Sequence, residues 1–267
     1  SQLALTGRAR LTNATGVALK NARLVLVAGD VRRVSSYDVE RVAPMAARMA
    51  AAPPPEMEPE PVGDLHAYAV PETVTLADQE MRQIGLLSAP KVAFTRRYVS
   101  ENQFNARFGT AGEPRPIHPQ VRYAIVNTAA AGLGRPLPAG VVRLYTRDRA
   151  GGLRFIGEDR INHTGVGDTV MLTPAEAFDL SVLRRQTDLT RVGGKDSGIV
   201  ETSWEIDVRN GKAEPVVVDV VEIMPPGWQV LNESAPHQRE TARRAVWQVE
   251  VPAGGTTRLS YRVRISA

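Results

Sequence analysis

Apolar and polar residues alternate with a period of two along most of this 267-residue chain, and that alternation constrains the fold more than any other feature. Successive side chains of a strand point to opposite faces, so the pattern marks strands buried on one side. It runs through Arg8-Ala9-Arg10-Leu11-Thr12, Arg23 to Val27, Thr73 to Leu76 and Val141 to Tyr145. It returns from Ser203 to Val208 and from Leu259 to Ile265. Gly151-Gly152, Asn210-Gly211, Pro225-Pro226-Gly227 and Gly254-Gly255 break the runs where turns are needed. Short strands at this density, without long amphipathic helices, predict an all-β chain built as sandwiches.

A simple unit recurs three times: a strand ending in Asn, a turn of small or polar residues, then a second alternating strand. It spans Arg8–Asn13 and Ala22–Val27, Arg122–Asn127 and Val141–Tyr145, and Trp204–Asn210 and Val216–Val221. Asn suits such a turn because its side chain bonds nearby backbone and it tolerates the left-handed region. Asn210-Gly211 is the most hairpin-like of the three, since both residues accept a positive φ. One segment departs from the pattern. Between Ala43 and Gly63, prolines 53, 54, 55, 59 and 61 forbid a sheet interior or a continuous helix. A short helix fits Tyr37 to Ala51, and the remainder is expected to be a flexible or polyproline-like inserted loop, a tolerated insertion rather than a partner-binding arm.

The formal net charge of +4 raises the question of nucleic acid. Only four of the 33 basic residues are lysines, so arginine supplies the other 29. These are scattered, usually near Asp or Glu, and never form a run of five, which is the distribution of cross-strand ion pairs rather than of a phosphate-binding stripe. No nucleic-acid partner is expected. No stretch reaches the roughly 18 apolar residues of a membrane helix, so no transmembrane segment is expected either. The chain begins Ser1-Gln2-Leu3 with no visible signal peptide, which reads as a mature or trimmed form.

Cysteine is absent, which removes disulfides, thiolate metal sites and cysteine nucleophiles. No Gly-x-Ser-x-Gly elbow occurs; Gly132-Leu133-Gly134 does not complete a dinucleotide fingerprint, and Gly194-Lys195 lacks the rest of a phosphate loop. Ser88-Ala89-Pro90-Lys91 matches Ser-x-x-Lys without its companion motifs. His66, His118, His163 and His237 are far apart. One acidic–histidine constellation exists, Glu158, Asp159 and His163 within Phe155–Thr164. On a regular strand Asp159 and His163 share a face but stand roughly 13 Å apart, too far for one metal; a bulge at Gly157 or a turn at Asn162 would change that. A polar strand end feeding the turn at Gly165-Val166-Gly167 is the favoured reading, and a hydrolase or metal site the weaker alternative. Trp204 and Trp247 alternate with apolar residues and belong to a core. Trp228, after Pro225-Pro226-Gly227, is the one expected at the surface, a candidate contact for a glycan or a protein partner. The triplets at Asn13, Asn162 and Asn232 fit the glycosylation pattern, which short triplets do by chance.

Taken together, these residues resemble the bacterial domain-of-unknown-function 4139 family, found in mucoidy-inhibitor-A-like proteins. The resemblance rests on Leu19–Val31, His66–Leu76 with Ile84–Leu87, Leu137–Tyr145 leading into Phe155–Asp159, and Ala177–Asp179 through Thr187–Leu189 to Pro252–Gly255 and Leu259–Val263. It implies an exported protein of the bacterial periplasm or envelope, and an Ala/Met/Pro-rich insert where Ala43–Gly63 lies. It brings no catalytic residues and no cofactor. The expectation is an N-terminal sandwich-like domain over 1–178 and a C-terminal immunoglobulin-like sandwich over 179–267. Its expected role is a non-enzymatic envelope module working through protein contacts at sheet edges or the insert, with glycan binding as the alternative.

Overall fold

A computed structural model describes residues 1–28, 57, 59–62, 65–106, 114–193 and 198–266. The described chain is all-β. Its strands are β1 (Gln2–Thr12), β2 (Leu19–Ala22), β3 (Val25–Ala28), β4 (Pro59–Val62), β5 (Leu65–Ala69), β6 (Val74–Leu76) and β7 (Met81–Ala93). Then come β8 (Thr95–Gln103), β9 (Gln120–Val126), β10 (Gly140–Arg147), β11 (Leu153–Ile161) and β12 (Thr169–Glu176). The last are β13 (Leu180–Val192), β14 (Ile199–Asn210), β15 (Val216–Ile223), β16 (Gln229–Glu233), β17 (His237–Thr241), β18 (Arg244–Val251) and β19 (Thr256–Ser266).

The strands form several sheets, none closed into a barrel: β12-β9-β8-β15-β18-β17, β13-β14-β19-β16, β3-β5-β4, and the pairs β1-β7, β2-β6 and β10-β11. Two compact units result. One comprises Ser1–Thr95, Ala124–Val142 and Arg160–Met171; the other comprises Arg96–Tyr123, Arg143–Asp159 and Leu172–Ala267. The helix expected over Tyr37–Ala51 and most of the loop expected over Ala43–Gly63 lie outside the described residues. The end of that loop corrects the expectation. Pro59-Glu60-Pro61-Val62 is a strand paired with β5. It is tolerated because β4 is an edge: prolines two residues apart turn their nitrogens to the same side, and on the open side a missing N–H costs no ladder bond.

The core of the second unit follows from the alternation. Trp204, Ile206 and Val208 of β14 and Leu259, Tyr261 and Val263 of β19 are buried together with Val218 and Val220 of β15 and Trp247 and Val249 of β18. Each such aliphatic side chain contributes about 1.5–3 kcal/mol by leaving water. Strand β15 is buried on both faces, with Val221 joining Val99 and Val246 in a second cluster, so its Val-rich run is nearly continuous. It pairs antiparallel with β18 and parallel with β8.

The three strand-ending asparagines are a repeated backbone clamp. Asn13, Asn127 and Asn210 are buried. Asn13 Nδ2 donates to the carbonyls of Val17, Leu76 and Ala77 at 2.8, 3.2 and 3.0 Å. Asn127 Nδ2 donates to Arg135 and Gly165 at 2.7 and 2.8 Å. Asn210 Nδ2 donates to Glu214, Val251 and Pro252 at 2.8, 3.3 and 3.1 Å. In each case Oδ1 accepts a backbone N–H of the adjoining turn, from Thr15, Gly134 or Lys212.

The second loop held by each asparagine is also the same turn. Glu80, Asp168 and Gly255 each donate N–H to the carbonyl three residues back and accept the N–H of the clamping asparagine. The residue before each of them, Gln79, Gly167 or Gly254, has φ of +59°, +92° or +63°. The recurrence seen in the sequence is therefore one hydrogen-bonded arrangement built three times. The turn at Asn210-Gly211 differs from expectation: neither residue has a positive φ, and Asn210 is the last residue of β14.

The dispersed arginines pair across strands. In the sheet β13-β14-β19, Glu201 receives Arg262 and Arg264, and Asp207 receives Arg185 and Arg258. Glu201 faces Arg264 directly in the ladder, and Asp207 faces Arg258. The hydrogen bonds from Arg264 and Arg262 hold the Glu201 carboxyl below its ordinary value. The unfolded chain then binds that proton more readily, so the contribution is present above the ordinary carboxylate range and is lost as pH falls through the lowered value.

Two outcomes follow. Asn210→Ala removes hydrogen bonds to one buried carbonyl, Val251, and two partly buried ones, Glu214 and Pro252, and is expected to cost about 2 kcal/mol, read from the urea midpoint. Glu201→Gln is expected to melt below the parent at neutral pH, with the gap closing toward about pH 2, followed by thermal unfolding at both pH values.

Candidate interaction site

The β10–β11 hairpin is where the alternation stops serving a core. The turn is built on Asp148, whose Oδ1 accepts the N–H groups of Ala150 and Gly152 at 3.0 and 2.8 Å and whose Oδ2 accepts from Arg154 Nε at 2.8 Å. Gly151 turns the chain at φ +82°. On β10, Leu144 is half-buried, whereas Tyr145, Thr146 and Arg147 are all exposed. On β11, Leu153, Arg154 and Phe155 are exposed in succession. Consecutive exposed residues on a strand mean solvent on both faces, so the tip packs on nothing among the described residues.

Its side chains are not those of a solvated tip. Tyr145, Leu153 and Phe155 are 53%, 63% and 56% exposed, and the Tyr145 and Phe155 rings meet edge-on at 5.7 Å. Arg143 Nε donates to Glu158 at 3.0 Å on the same outward face. That meeting needs a shift in alternation between Phe155 and Glu158, and Gly157 provides it at φ +144°. A Cβ on Gly157 would collide with the Pro174 carbonyl oxygen, so glycine is required there.

The residues singled out in the sequence are placed as follows. Trp228 is a correction: it is 4% exposed, not a surface platform. Gly227, at φ +74°, turns the chain back so that the indole enters the core. There Trp228 Nε1 donates to the Ala242 carbonyl at 2.8 Å, Arg239 lies 4.3 Å over the ring, and His237 meets it edge-on. Glu233 closes this cluster, accepting Trp247 Nε1 at 2.8 Å and lying 2.9 Å from His237 Nδ1. Trp204 and Trp247 are core residues.

Asp159 and His163 serve different stretches of backbone. Asp159 Oδ2 accepts the Thr173 N–H at 2.6 Å, and His163 Nδ1 accepts the Ala139 N–H at 3.2 Å. Glu158 is committed to Arg143. No cluster of three or more His, Cys, Asp or Glu able to hold a metal occurs among the described residues. No helix there is long and apolar enough to cross a membrane.

One buried ionic cluster escaped sequence reasoning. Arg184 of β13 grips Glu222 of β15 with both ends of its guanidinium, Nε to Oε1 at 2.7 Å and Nη2 to Oε2 at 3.0 Å. Glu222 is wholly buried, and the guanidinium lies 3.4 Å from the centre of the Trp204 ring. Burial raises the Glu222 carboxyl above its ordinary value, against the lowering pull of Arg184. Nothing in the alternation announces this pair, because Glu222 sits at the end of the β15 valine run. The exposed Tyr145 was within reach: Arg143, Tyr145 and Arg147 share one parity, and a face carrying two arginines faces water.

Arg184→Met is expected to cost about 3–5 kcal/mol by leaving Glu222 buried without its cation, and the double variant Arg184→Met with Glu222→Leu to recover most of that loss, measured by urea unfolding at neutral pH. No protein-family model matches the chain, and neither a curated protein nor a solved structure shows significant similarity to it.

Proposed function

We propose that the chain is a non-enzymatic module of the bacterial envelope that works by protein–protein contact, with the β10–β11 hairpin as its contact arm. The observation that carries this reading is the solvent-exposed trio Tyr145, Leu153 and Phe155 on a strand pair exposed on both faces near its turn. Aromatic and arginine side chains are the residue types that anchor interfaces, because they bury large area at small conformational cost. The envelope location rests on the resemblance to the mucoidy-inhibitor-A-like proteins.

The architecture that would present this arm is a pair of β-sandwich parts, the second immunoglobulin-like; a division into 1–178 and 179–267 is at odds with the two compact units, because β8 of the first span pairs with β15 of the second. Support for the second comes from the shared core, to which β14 and β19 contribute from one sheet and β15 and β18 from another.

The double variant Tyr145→Ser with Phe155→Ser tests the arm. Both side chains are exposed, so its melting temperature should stay within a few degrees of the parent. Retention of envelope proteins on the immobilised chain, quantified against the parent, should fall by about 30-fold or more if these residues are hot spots. An unchanged retained set would sink the reading.

A further inference from the structure

Resting on that reading of the hairpin, we propose that the open edge of β10 receives an extended segment of a partner protein as an added strand. The segment carries an apolar residue beside Tyr145 and carboxylates two positions to either side, beside Arg143 and Arg147. Among the described residues β10 has β11 as its one strand neighbour, so the outward row of backbone N–H and C=O groups of its eight residues is unpaired. Such a row is a template for strand addition. The far side of β11 is not equivalent. There Gly157 abuts the Pro174 carbonyl, and the Asp159 carboxylate takes the Thr173 N–H at 2.6 Å. Gly140–Arg147 has neither proline nor lysine; its charged residues are Arg143 and Arg147, which guard the edge against any strand that does not complement them.

The pattern demanded of the partner comes from the outward face. Arg143, Tyr145 and Arg147 are successive same-face residues, spaced by roughly 7 Å. Each cation is already braced: Arg143 through Nε by Glu158 at 3.0 Å, Arg147 through Nη1 by the Gly151 carbonyl at 3.0 Å. A guanidinium has five N–H donors, so both retain groups for a carboxylate. Tyr145 is backed by the Phe155 ring, which makes an apolar strip between the two charges. Directly opposed unlike charges stabilise a strand pair and like charges oppose it, so the arginines select an acidic segment and reject a basic one.

A membrane surface fits less well. Unpaired backbone groups on an edge need hydrogen-bonding partners that acyl chains lack, and the turn itself carries Asp148 and Arg149.

The experiment uses the full chain and short synthetic peptides with valine at the centre, threonine elsewhere, and either aspartate or lysine two residues to each side. The aspartate peptide is expected to bind in fluorescence anisotropy, at least about tenfold better than the lysine peptide, and more weakly as salt is raised. Amides of β10 should gain hydrogen-exchange protection on binding while those of β17 do not. The double variant Arg143→Glu with Arg147→Glu should reverse the preference to the lysine peptide; that gain cannot come from misfolding. Equal binding of the two peptides, no protection of β10, or binding to phosphatidylglycerol vesicles in place of peptide would each overturn the proposal. If the peptides fail while the Tyr145 and Phe155 double variant still loses envelope partners, strand addition is wrong and the contact arm stands. If that variant retains its partners as well, both fall.

Discussion

A buried side-chain amide is tolerable only when its donors and acceptor are all engaged, and that requirement is met at the ends of three strands, β1, β9 and β14. An unpaired buried donor or acceptor costs about 1–3 kcal/mol. Asn13, Asn127 and Asn210 avoid the cost by holding two loops at once, the turn that follows them and one distant in sequence. The distance spanned, from Asn13 to Ala77 or from Asn210 to Pro252, means each clamp joins strands that no short hairpin connects. An aspartate would fill the same volume, but it would point a negative charge at the carbonyls that the amide N–H groups now satisfy.

Charge is distributed by a related logic. The arginines of β13 and β19 lie on solvated faces opposite acidic partners, where each pair contributes little by itself and the ladder as a whole opposes misregister, since a one-residue slip would place arginine beside apolar positions. Arg184 and Glu222 are the exception. Placed inside, a pair of this kind is a weak source of stability, because desolvation consumes most of the Coulombic gain. It does join two sheets: β13 and β15 belong to different ones, and the fork of Arg184 meets both Glu222 oxygens.

How much of this was legible in the residues follows from what alternation encodes. A period of two reports which face of a strand is apolar, and it located most of the strands and the core positions of Trp204, Ile206, Val208 and Trp247. It does not report what covers that face. Trp228 follows a turn that alternation does not orient, and Gly227 leads the chain back in. Pro59 and Pro61 break a sheet interior, but an edge strand tolerates both. The threefold clamp was half visible. Its asparagines stood out, but the second loops share no residue type at the positive-φ position, where Gln79 stands in place of the glycine of the other two. What recurs there is backbone geometry, and sequence records geometry only where it forces a residue choice.

The hairpin shows the same limit from the other side. Val142 and Leu144 alternate with Arg143 and Tyr145, and that parity alone says the arginine-bearing face is wet. It leaves open whether a tyrosine on that face is incidental. Single exposed apolar residues are ordinary on protein surfaces; the significance of Tyr145 comes from Phe155 meeting it across the strand pair and from the successive exposure of both strands near the turn. Near its turn the hairpin rests on no second layer among the described residues, and isolated two-stranded ribbons are at best marginally stable in water. Its geometry is maintained by the Asp148 turn, the Arg143–Glu158 pair and the glycine against Pro174. Those restraints hold the strand pair in shape while its apolar face remains uncovered, which is the condition a preorganised binding surface requires.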